Sequence, residues 1–206
     1  MNDSAHHAAR LSKYDRLIAR AQQEAPAQTV VAHPCDETSL RGALEAAQER
    51  LIVPILVGPE AKIRAVAAEH GLDLDGIELV DAPHSDAAAA RAVELVREGR
   101  GELLMKGSLH TDELMREVAA SATGLRTKRR ISHVFVMDVP GHAETLFITD
   151  AAINIFPDLE ASVEGASTSV ETMRGARLAA DAGWVAPSMP DPPRALPPRG
   201  QAPGPP

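Results

Sequence analysis

The residues most suited to chemistry lie together in one segment, LLMKGSLHTDELMREV, which spans Leu103–Val118. An apolar run ends at Lys106-Gly107-Ser108, and an amphipathic pattern typical of a helix begins at Thr111-Asp112-Glu113. A turn of this kind gathers free backbone N–H groups, two hydroxyl groups and a lysine, which together can bind a phosphate. The same pattern also fits an ordinary strand-to-helix turn that is capped by Thr111. The segment indicates phosphate handling, and the plain turn remains the alternative.

Arg116 lies about one and a half turns into the predicted helix. A guanidinium group there can bind two phosphate oxygens at once. Alternatively, Arg116 pairs with Asp112 one turn earlier on the helix surface, a contact that stabilises a helix by only ~0.3–0.5 kcal/mol. The spacing alone favours the surface pair.

Several other reactive side chains carry weaker signals. Residues 126–130 (RTKRR) place four cations in five residues, which fits either a solvated loop or contact with the phosphates of a nucleotide-like molecule. His110 and His133 could transfer protons, but no carboxylate stands at a supporting spacing. Cys35 follows a predicted strand and reads as a small buried hydrophobic residue more readily than as a nucleophile. The spacing of histidine, cysteine and acidic residues indicates no metal site.

Composition narrows the classes of function. The 206 residues carry a formal net charge of −8, which argues against broad binding to nucleic acid or to an anionic membrane. One cysteine excludes an internal disulfide and fits a reducing compartment. The polar N-terminal segment does not resemble a signal peptide, and no apolar run reaches the ~18 residues that a membrane span requires. We therefore expect a cytoplasmic protein with neither nucleic-acid nor membrane partners.

Hydrophobic periodicity predicts strands and helices in alternation, joined by loops of a few residues. This alternation is typical of an α/β fold with a mainly parallel sheet, in which ligands bind beyond the carboxyl ends of the strands. The predicted helices span residues 11–24, 37–50, 60–70 (ending at Gly71), 85–98 (from an N-cap Ser85), 111–120 and, ambiguously, 170–182. The predicted strands span residues 29–33, 52–57, 77–80, 102–105, 132–139 and 145–149.

Four co-linear motifs resemble the phosphate acetyl/butyryltransferase family. They are IVPILVGPEAKI at Ile52–Ile63, LLMKGSLHTDELMR at Leu103–Arg116, GLRTKRRISHVFVMDVPG at Gly124–Gly141 and LFITDAAINIFPDLE at Leu146–Glu160. The resemblance implies reversible acyl transfer between coenzyme A, a substrate here and not a bound cofactor, and inorganic phosphate. It also implies two three-layer αβα lobes, an architecture like that of isocitrate and isopropylmalate dehydrogenases, usually in a homodimer.

The same resemblance assigns roles to residues of the fourth strand-to-helix turn. Ser108 and Thr111 would contact phosphate, Arg116 would be the clamping arginine, and Lys106 and Gly107 would shape the loop. The family's proton-accepting aspartate lies in a returning segment beyond the equivalent of Glu160, and no matching motif follows in this sequence. The catalytic residues are therefore left unassigned.

The end of the sequence departs from the α/β pattern. Nine of the last 20 residues are proline, a composition that favours disorder. We expect a first lobe at residues 1–144, the start of an incomplete second lobe at 145–166 and a divergent, disordered tail at 167–206. The activity expected is that of a phosphate acetyltransferase. The alternatives are a phosphate butyryltransferase and a truncated, non-catalytic fragment that at most binds coenzyme A or phosphate.

Overall fold

In the computed structural model, the described residues are 13–128, 131, 133–137, 139–140 and 146–149. The predicted alternation of helices and strands is confirmed over this range, with ends that differ by a few residues. The elements, in chain order, are α1 Lys13–Ala21, β1 Ala27–Ala32, α2 Glu37–Gln48, β2 Ile52–Gly58, α3 Glu60–Glu69, β3 Glu78–Asp81, α4 Ser85–Arg97, β4 Leu103–Lys106, α5 Thr111–Val118, β5 Val134–Met137 and β6 Leu146–Thr149.

The first four strands form one parallel sheet in the order β3-β2-β1-β4. The chain builds this sheet outward from β1 through β2 to β3, and it then crosses back to place β4 on the other side of β1. The order of the strands therefore changes direction between β1 and β4. In open α/β sheets, this reversal leaves a crevice at the carboxyl ends of the two strands.

Helices cover both faces of the parallel sheet. Because successive side chains of a strand point to opposite faces, Val30 and Val31 in β1 enter two different cores. The Val30 core includes buried side chains of α4 and α5, whereas the Val31 core includes buried side chains of α2 and α3. The result is a three-layer αβα arrangement around a mainly parallel sheet, as predicted.

The predicted ends of two helices can be compared with the structure. Gly71 follows α3 with a φ of +62°, and Leu72 N–H donates to the carbonyl of Ala67 at 2.8 Å, so glycine ends this helix as expected. The predicted N-cap Ser85 is wrong. The cap is His84, whose Nδ1 accepts a hydrogen bond from Ala87 N–H at 3.2 Å and so replaces the serine hydroxyl.

The last described strands, β5 and β6, form a separate antiparallel pair in which Phe135 lies opposite Ile148. They lie within two of the predicted strands and on either side of the predicted boundary at residue 144. The ambiguous helix at 170–182 and the predicted tail at 167–206 lie outside the described residues. Among the residues that the structure describes, no helix has the length and apolar content needed to cross a membrane.

Candidate functional site at the carboxyl ends of β1 and β4

Two loops meet where the strand order reverses. Residues 33–36 connect β1 to α2, and residues 107–110 connect β4 to α5. Since β1 and β4 are parallel neighbours, with Ala32 opposite Lys106, both loops leave the same edge of the sheet side by side. Both then enter the N-terminus of a helix, where the backbone N–H groups of the first turn have no intrahelical acceptor. The Lys106–Thr111 segment, which the sequence predicts as a phosphate site, therefore lies at this crevice.

Gly107 brings the two loops into direct contact. Its N–H donates to the carbonyl of Ala32 at 2.8 Å. A Cβ at position 107 would lie 2.5 Å from the carbonyl oxygens of both Ala32 and His33. Backbone oxygens cannot move away as a flexible side chain can, so only glycine fits here. This packing agrees with the loop-shaping role implied by the resemblance.

Ser108 is tied to the β1 loop by four contacts. Its backbone N–H donates to the carbonyl of His33 at 2.9 Å, and its Oγ lies 2.8 Å from the same carbonyl oxygen. Ser108 Oγ also accepts a hydrogen bond from Cys35 N–H at 3.2 Å and lies 3.1 Å from His33 Nδ1. The serine remains exposed to solvent. Its hydroxyl is thus held in a fixed place while it stays open to a ligand.

His33 has an unusual backbone conformation. Its φ is +53°, in the left-handed region that few residues other than glycine adopt. Its N–H donates to the carbonyl of Val57 in β2 at 2.7 Å, which anchors the loop to the sheet. Burial lowers the pKa of the His33 imidazole below its usual range, and the positive charge of Lys62 lowers it further. The imidazole is therefore held in its neutral form more strongly than an exposed histidine.

Lys106 turns into its own loop. Its ammonium group donates to the carbonyl of Gly107 at 3.1 Å and to the carbonyl of Leu109 at 2.9 Å. Two of the three N–H donors of a lysine are then used within the loop. This geometry agrees with a loop-shaping role and leaves little capacity for a direct contact with phosphate.

Thr111 is the first residue of α5 and not its N-cap, so that prediction is wrong. The N-cap is His110, whose backbone N–H donates to Glu113 Oε2 at 3.0 Å. The glutamate satisfies the N-cap backbone, and the helix begins one residue earlier than a threonine cap requires. Thr111 is exposed in the first turn of α5, on the same loop as Ser108.

Arg116 pairs with a different carboxylate from the one that the spacing predicted. Its Nη1 lies 3.2 Å from Asp86 Oδ1 in the first turn of α4, so the pairing with Asp112 is wrong. The two side chains are 60% and 55% exposed, which makes this a solvated surface contact. Helical spacing could not reveal it, because Asp86 belongs to another helix.

The other reactive side chains named from the sequence are Cys35, the basic run at 126–130 and His133. Cys35 is 6% exposed, and burial raises the pKa of its thiol, which fits a buried hydrophobic residue better than a nucleophile. Arg126 and Lys128 are exposed, and Arg129 and Arg130 lie outside the described residues. His133 stacks edge to face on Phe135 at 4.1 Å between ring centroids. Across the described part of the chain, no cluster of three metal-ligating side chains occurs.

Sequence reasoning missed His33 and Asp36. The Asp36 carboxylate accepts hydrogen bonds from Ser39 Oγ at 2.6 Å and from Ser39 N–H at 2.8 Å, and these contacts hold its pKa below the usual range. The available signal was the position of both residues just after β1. It becomes informative only when β1 is known to lie beside β4, and the sequence does not give that order.

Comparisons with known proteins agree with the motifs. The profile of the family "Phosphate acetyl/butaryl transferase" matches residues 13–91 and 84–181. The phosphate acetyltransferase of Rhizobium meliloti is 82% identical over 150 residues, which are 73% of this chain and 48% of that protein. The phosphate butyryltransferase of Clostridium beijerinckii is 36% identical over 150 residues, 73% of this chain and 50% of that protein.

Solved structures support the fold. A phosphotransacetylase from Streptococcus pyogenes superposes with a TM-score of 0.66 at 19% identity, over 79% of this chain and 59% of that one. At 25% identity, a branched-chain phosphotransacylase from Enterococcus faecalis has a TM-score of 0.56 over 71% of this chain and 51% of that one.

The three-layer αβα fold and the crevice between β1 and β4 define an α/β protein with a topological switch point, the place where open α/β sheets bind ligands. The chain belongs to the phosphate acetyl/butaryl transferase family, because the family profile covers most of its length. It spans about half the length of the curated relatives that it matches.

Proposed function

We propose that this chain serves phosphate acyltransfer, acetyl-CoA plus phosphate giving acetyl phosphate plus coenzyme A. The observation that carries the proposal is Ser108, held at the β1–β4 crevice by the neighbouring loop with its hydroxyl open to solvent. Family membership supplies the reaction, and the crevice supplies a place for the phosphate.

In this reaction, a phosphate oxygen attacks the thioester carbonyl carbon. The new C–O bond forms, the C–S bond breaks, and coenzyme A leaves as a thiolate that takes up the proton given up by the hydrogen phosphate. Ser108 and Thr111 would donate hydroxyl hydrogen bonds to the phosphate, and the N–H groups at the start of α5 would add to its binding. Arg116 would exchange Asp86 for a phosphoryl oxygen. These contacts orient the nucleophile and balance its charge.

The acetyl group is the proposed acyl group. The support is the 82% identity to a protein named phosphate acetyltransferase, against 36% identity to one named phosphate butyryltransferase. A pocket can discriminate one methylene group by only ~1–3 kcal/mol, so the acyl chain must be tested directly with both substrates. The cytoplasmic location and the homodimer stay predictions, as do coenzyme A and phosphate as substrates.

A second candidate is a non-catalytic module that binds phosphate or coenzyme A. One observation favours it: the His33 imidazole contacts Ser108 of its own chain, and the Cys35 thiol is buried, so neither group is free to serve as a base or nucleophile. The region matched also spans only about half of the curated relatives. Binding without turnover separates this candidate from the first.

The test is an assay of the purified full chain that follows acetyl-CoA formation from acetyl phosphate and coenzyme A. Turnover that is lost in the Arg116→Ala variant supports the acyltransferase. Phosphate binding by a folded chain without turnover supports the module. Absence of both activities, with phosphate titrated to millimolar concentration, contradicts both candidates.

A further inference from the structure

The Ser108 hydroxyl has more partners than one proton can serve. Its oxygen lies 2.8 Å from His33 O, 3.1 Å from His33 Nδ1 and 3.2 Å from Cys35 N. A hydroxyl group has one proton to donate and two lone pairs that accept. Cys35 N–H can only donate, and His33 O can only accept. The role of His33 Nδ1, as donor or as acceptor, therefore decides where the serine proton points.

Only one assignment satisfies all three contacts together. If His33 Nδ1 carries a hydrogen, it donates to Ser108 Oγ, Cys35 N–H fills the second lone pair, and the serine proton goes to His33 O. If Nδ1 were bare, the serine would have to choose between two acceptors, and one contact would be left unmade. The Nδ1–H form of the neutral ring is therefore the one in which all three contacts of Ser108 Oγ are hydrogen bonds.

We infer that His33 is a positioning residue for Ser108. Its Nδ1–H and the Cys35 N–H occupy both lone pairs of the hydroxyl oxygen, so that the single proton can turn from His33 O to a bound anion. The oxygen does not move during this turn. An incoming phosphate oxygen then receives a hydrogen bond from a hydroxyl group whose other partners are already in place. This role rests on the proposed function of Ser108 in phosphate binding.

The backbone of His33 supports the same role. His33 O accepts hydrogen bonds from Ser108 N–H and Cys35 N–H, both at 2.9 Å, and the Cys35 hydrogen is shared with Ser108 Oγ at 3.2 Å. His33 O therefore keeps partners when the serine proton leaves it. At this residue, whose φ is +53°, the carbonyl and the ring nitrogen Nδ1 both contact Ser108. One residue therefore supplies both the resting acceptor of the serine proton and the donor that fixes the oxygen.

The charges around the ring keep it neutral without fixing its tautomer. Burial and Lys62 of α3 lower the pKa of His33, whereas Glu113 of α5 and Asp36 of its own loop oppose that shift. Of the two nitrogens, Nδ1 is the one in contact with Ser108. The tautomer is thus set by the serine contact, and this gives the inference a spectroscopic signature.

The first test measures the tautomer of His33 by ¹⁵N-detected NMR of the full chain, above the pH at which the ring titrates. The His33→Asn variant identifies the His33 signals. We expect Nδ1 to show the shift of a protonated nitrogen, and we expect the population to move toward the Nε2–H form in Ser108→Ala. A bare Nδ1 in the unmodified chain, or a tautomer that ignores Ser108→Ala, overturns the inference.

The second test compares two substitutions that both tolerate a positive φ. In His33→Asn, the side-chain amide can take the place of Nδ1 and donate to Ser108, whereas His33→Gly leaves no donor. Inorganic phosphate is titrated against each full chain and followed by ³¹P NMR, with amide spectra to check folding. We expect His33→Asn to bind within about twofold of the unmodified chain and His33→Gly to bind about tenfold more weakly.

The outcomes separate the inference from the function on which it rests. Equal affinity in the two variants and the unmodified chain overturns the positioning role, even if phosphate binds well. If the unmodified chain binds no phosphate, the proposed function fails, and the tautomer measurement alone decides whether His33 fixes the Ser108 hydroxyl. Loss of affinity in His33→Gly with recovery in His33→Asn supports the inference.

Discussion

Asp86 and Arg116 form an ion pair 3.2 Å apart that joins the first turn of α4 to α5. The arginine proposed to bind phosphate is therefore already held by a carboxylate of its own chain. A phosphate that binds Arg116 must replace this carboxylate. Because both side chains are more than half exposed, the pair contributes little to folding, and the exchange is not costly.

Removing the competing carboxylate should strengthen phosphate binding. We expect Asp86→Asn to raise the affinity for inorganic phosphate about two- to fivefold, since this is worth only ~0.4–1 kcal/mol of surface pairing. Arg116→Ala should weaken the affinity at least tenfold, as the loss of a charge-assisted hydrogen bond does. The free energy of unfolding should change by less than ~1 kcal/mol in both variants.

Calorimetric titration with phosphate and urea unfolding check this pair of expectations. The pair Arg41–Glu37, an ion pair within α2, offers a matched control, because Glu37→Gln also releases a surface arginine. A gain in phosphate affinity of the same size in Glu37→Gln would show that the effect comes from net charge and not from Arg116.

The same substitution should have opposite effects at two glycines. At Gly107, an added Cβ would lie 2.5 Å from two backbone oxygens, so Gly107→Ala should lower the free energy of unfolding by about 1–3 kcal/mol. At Gly42, inside α2, an added Cβ meets nothing within 4 Å, so Gly42→Ala should raise it by about 0.5–1 kcal/mol. Urea unfolding of both variants measures the difference. Two shifts of the same sign would contradict the packing at Gly107.

The strands and helices of the parallel-sheet region were predictable from the sequence, but the order of the strands within the sheet was not. Alternating aliphatic runs and helical periodicity locate each strand and helix of residues 13–118 within a few residues, because those patterns follow from local geometry. The pairing of β1 with β4 depends on a crossover of about 70 residues. It is this pairing that brings His33 to Ser108, so the most detailed part of the site was not visible in the sequence.

Local reasoning also misjudged the starts of two helices. Serine and threonine are strong N-caps in general, so Ser85 and Thr111 were the natural choices. The structure uses the preceding histidines, because the His84 ring accepts from Ala87 N–H and the His110 backbone donates to Glu113. In each helix the partner of the N-cap histidine lies three residues further along the chain: a backbone N–H in α4 and a carboxylate in α5. The geometry of these contacts, and not the residue type alone, therefore decides which residue is the N-cap.

Asp36 should stabilise α2 as its N-cap. The Asp36 carboxylate accepts from Ser39 N–H at 2.8 Å, so Asp36→Ala should lower the free energy of unfolding by about 1 kcal/mol at pH 7. Asp36→Asn keeps a capping oxygen and should cost less than half as much. Hydrogen bonds from the Ser39 hydroxyl and N–H lower the pKa of Asp36 in the folded state. Its charged form therefore stabilises the fold at pH values above the unfolded pKa of about 3.9. This stabilisation is lost as the pH falls through the lower pKa of the folded state.

Urea unfolding at a series of pH values checks the cap. The difference between the unmodified chain and Asp36→Asn should shrink as the pH falls below about 4. The deficit of Asp36→Ala should be largest at neutral pH. A deficit in Asp36→Asn equal to that in Asp36→Ala would show that the charge, and not the cap geometry, stabilises this helix.

His33 should make the protein less stable in mildly acidic solution. Burial, with Lys62 adding to it, lowers the pKa of His33 in the folded chain, whereas the unfolded chain keeps a value of about 6.5. Between these two values the unfolded chain binds more protons, so the free energy of unfolding rises with pH. The stabilisation is complete above about pH 6.5, and it falls as the pH is lowered toward the folded pKa.

The contribution of His33 is isolated by subtracting two pH profiles of unfolding. Because asparagine does not titrate, the stability of His33→Asn relative to the unmodified chain should increase as the pH falls from about 6.5, and it should level off below the folded pKa. The Asp36 effect acts near pH 4 and below, so the two windows can be separated in one set of urea titrations. Parallel profiles from pH 7 to pH 5 would mean that the imidazole gains its proton as easily in the folded chain as in the unfolded one.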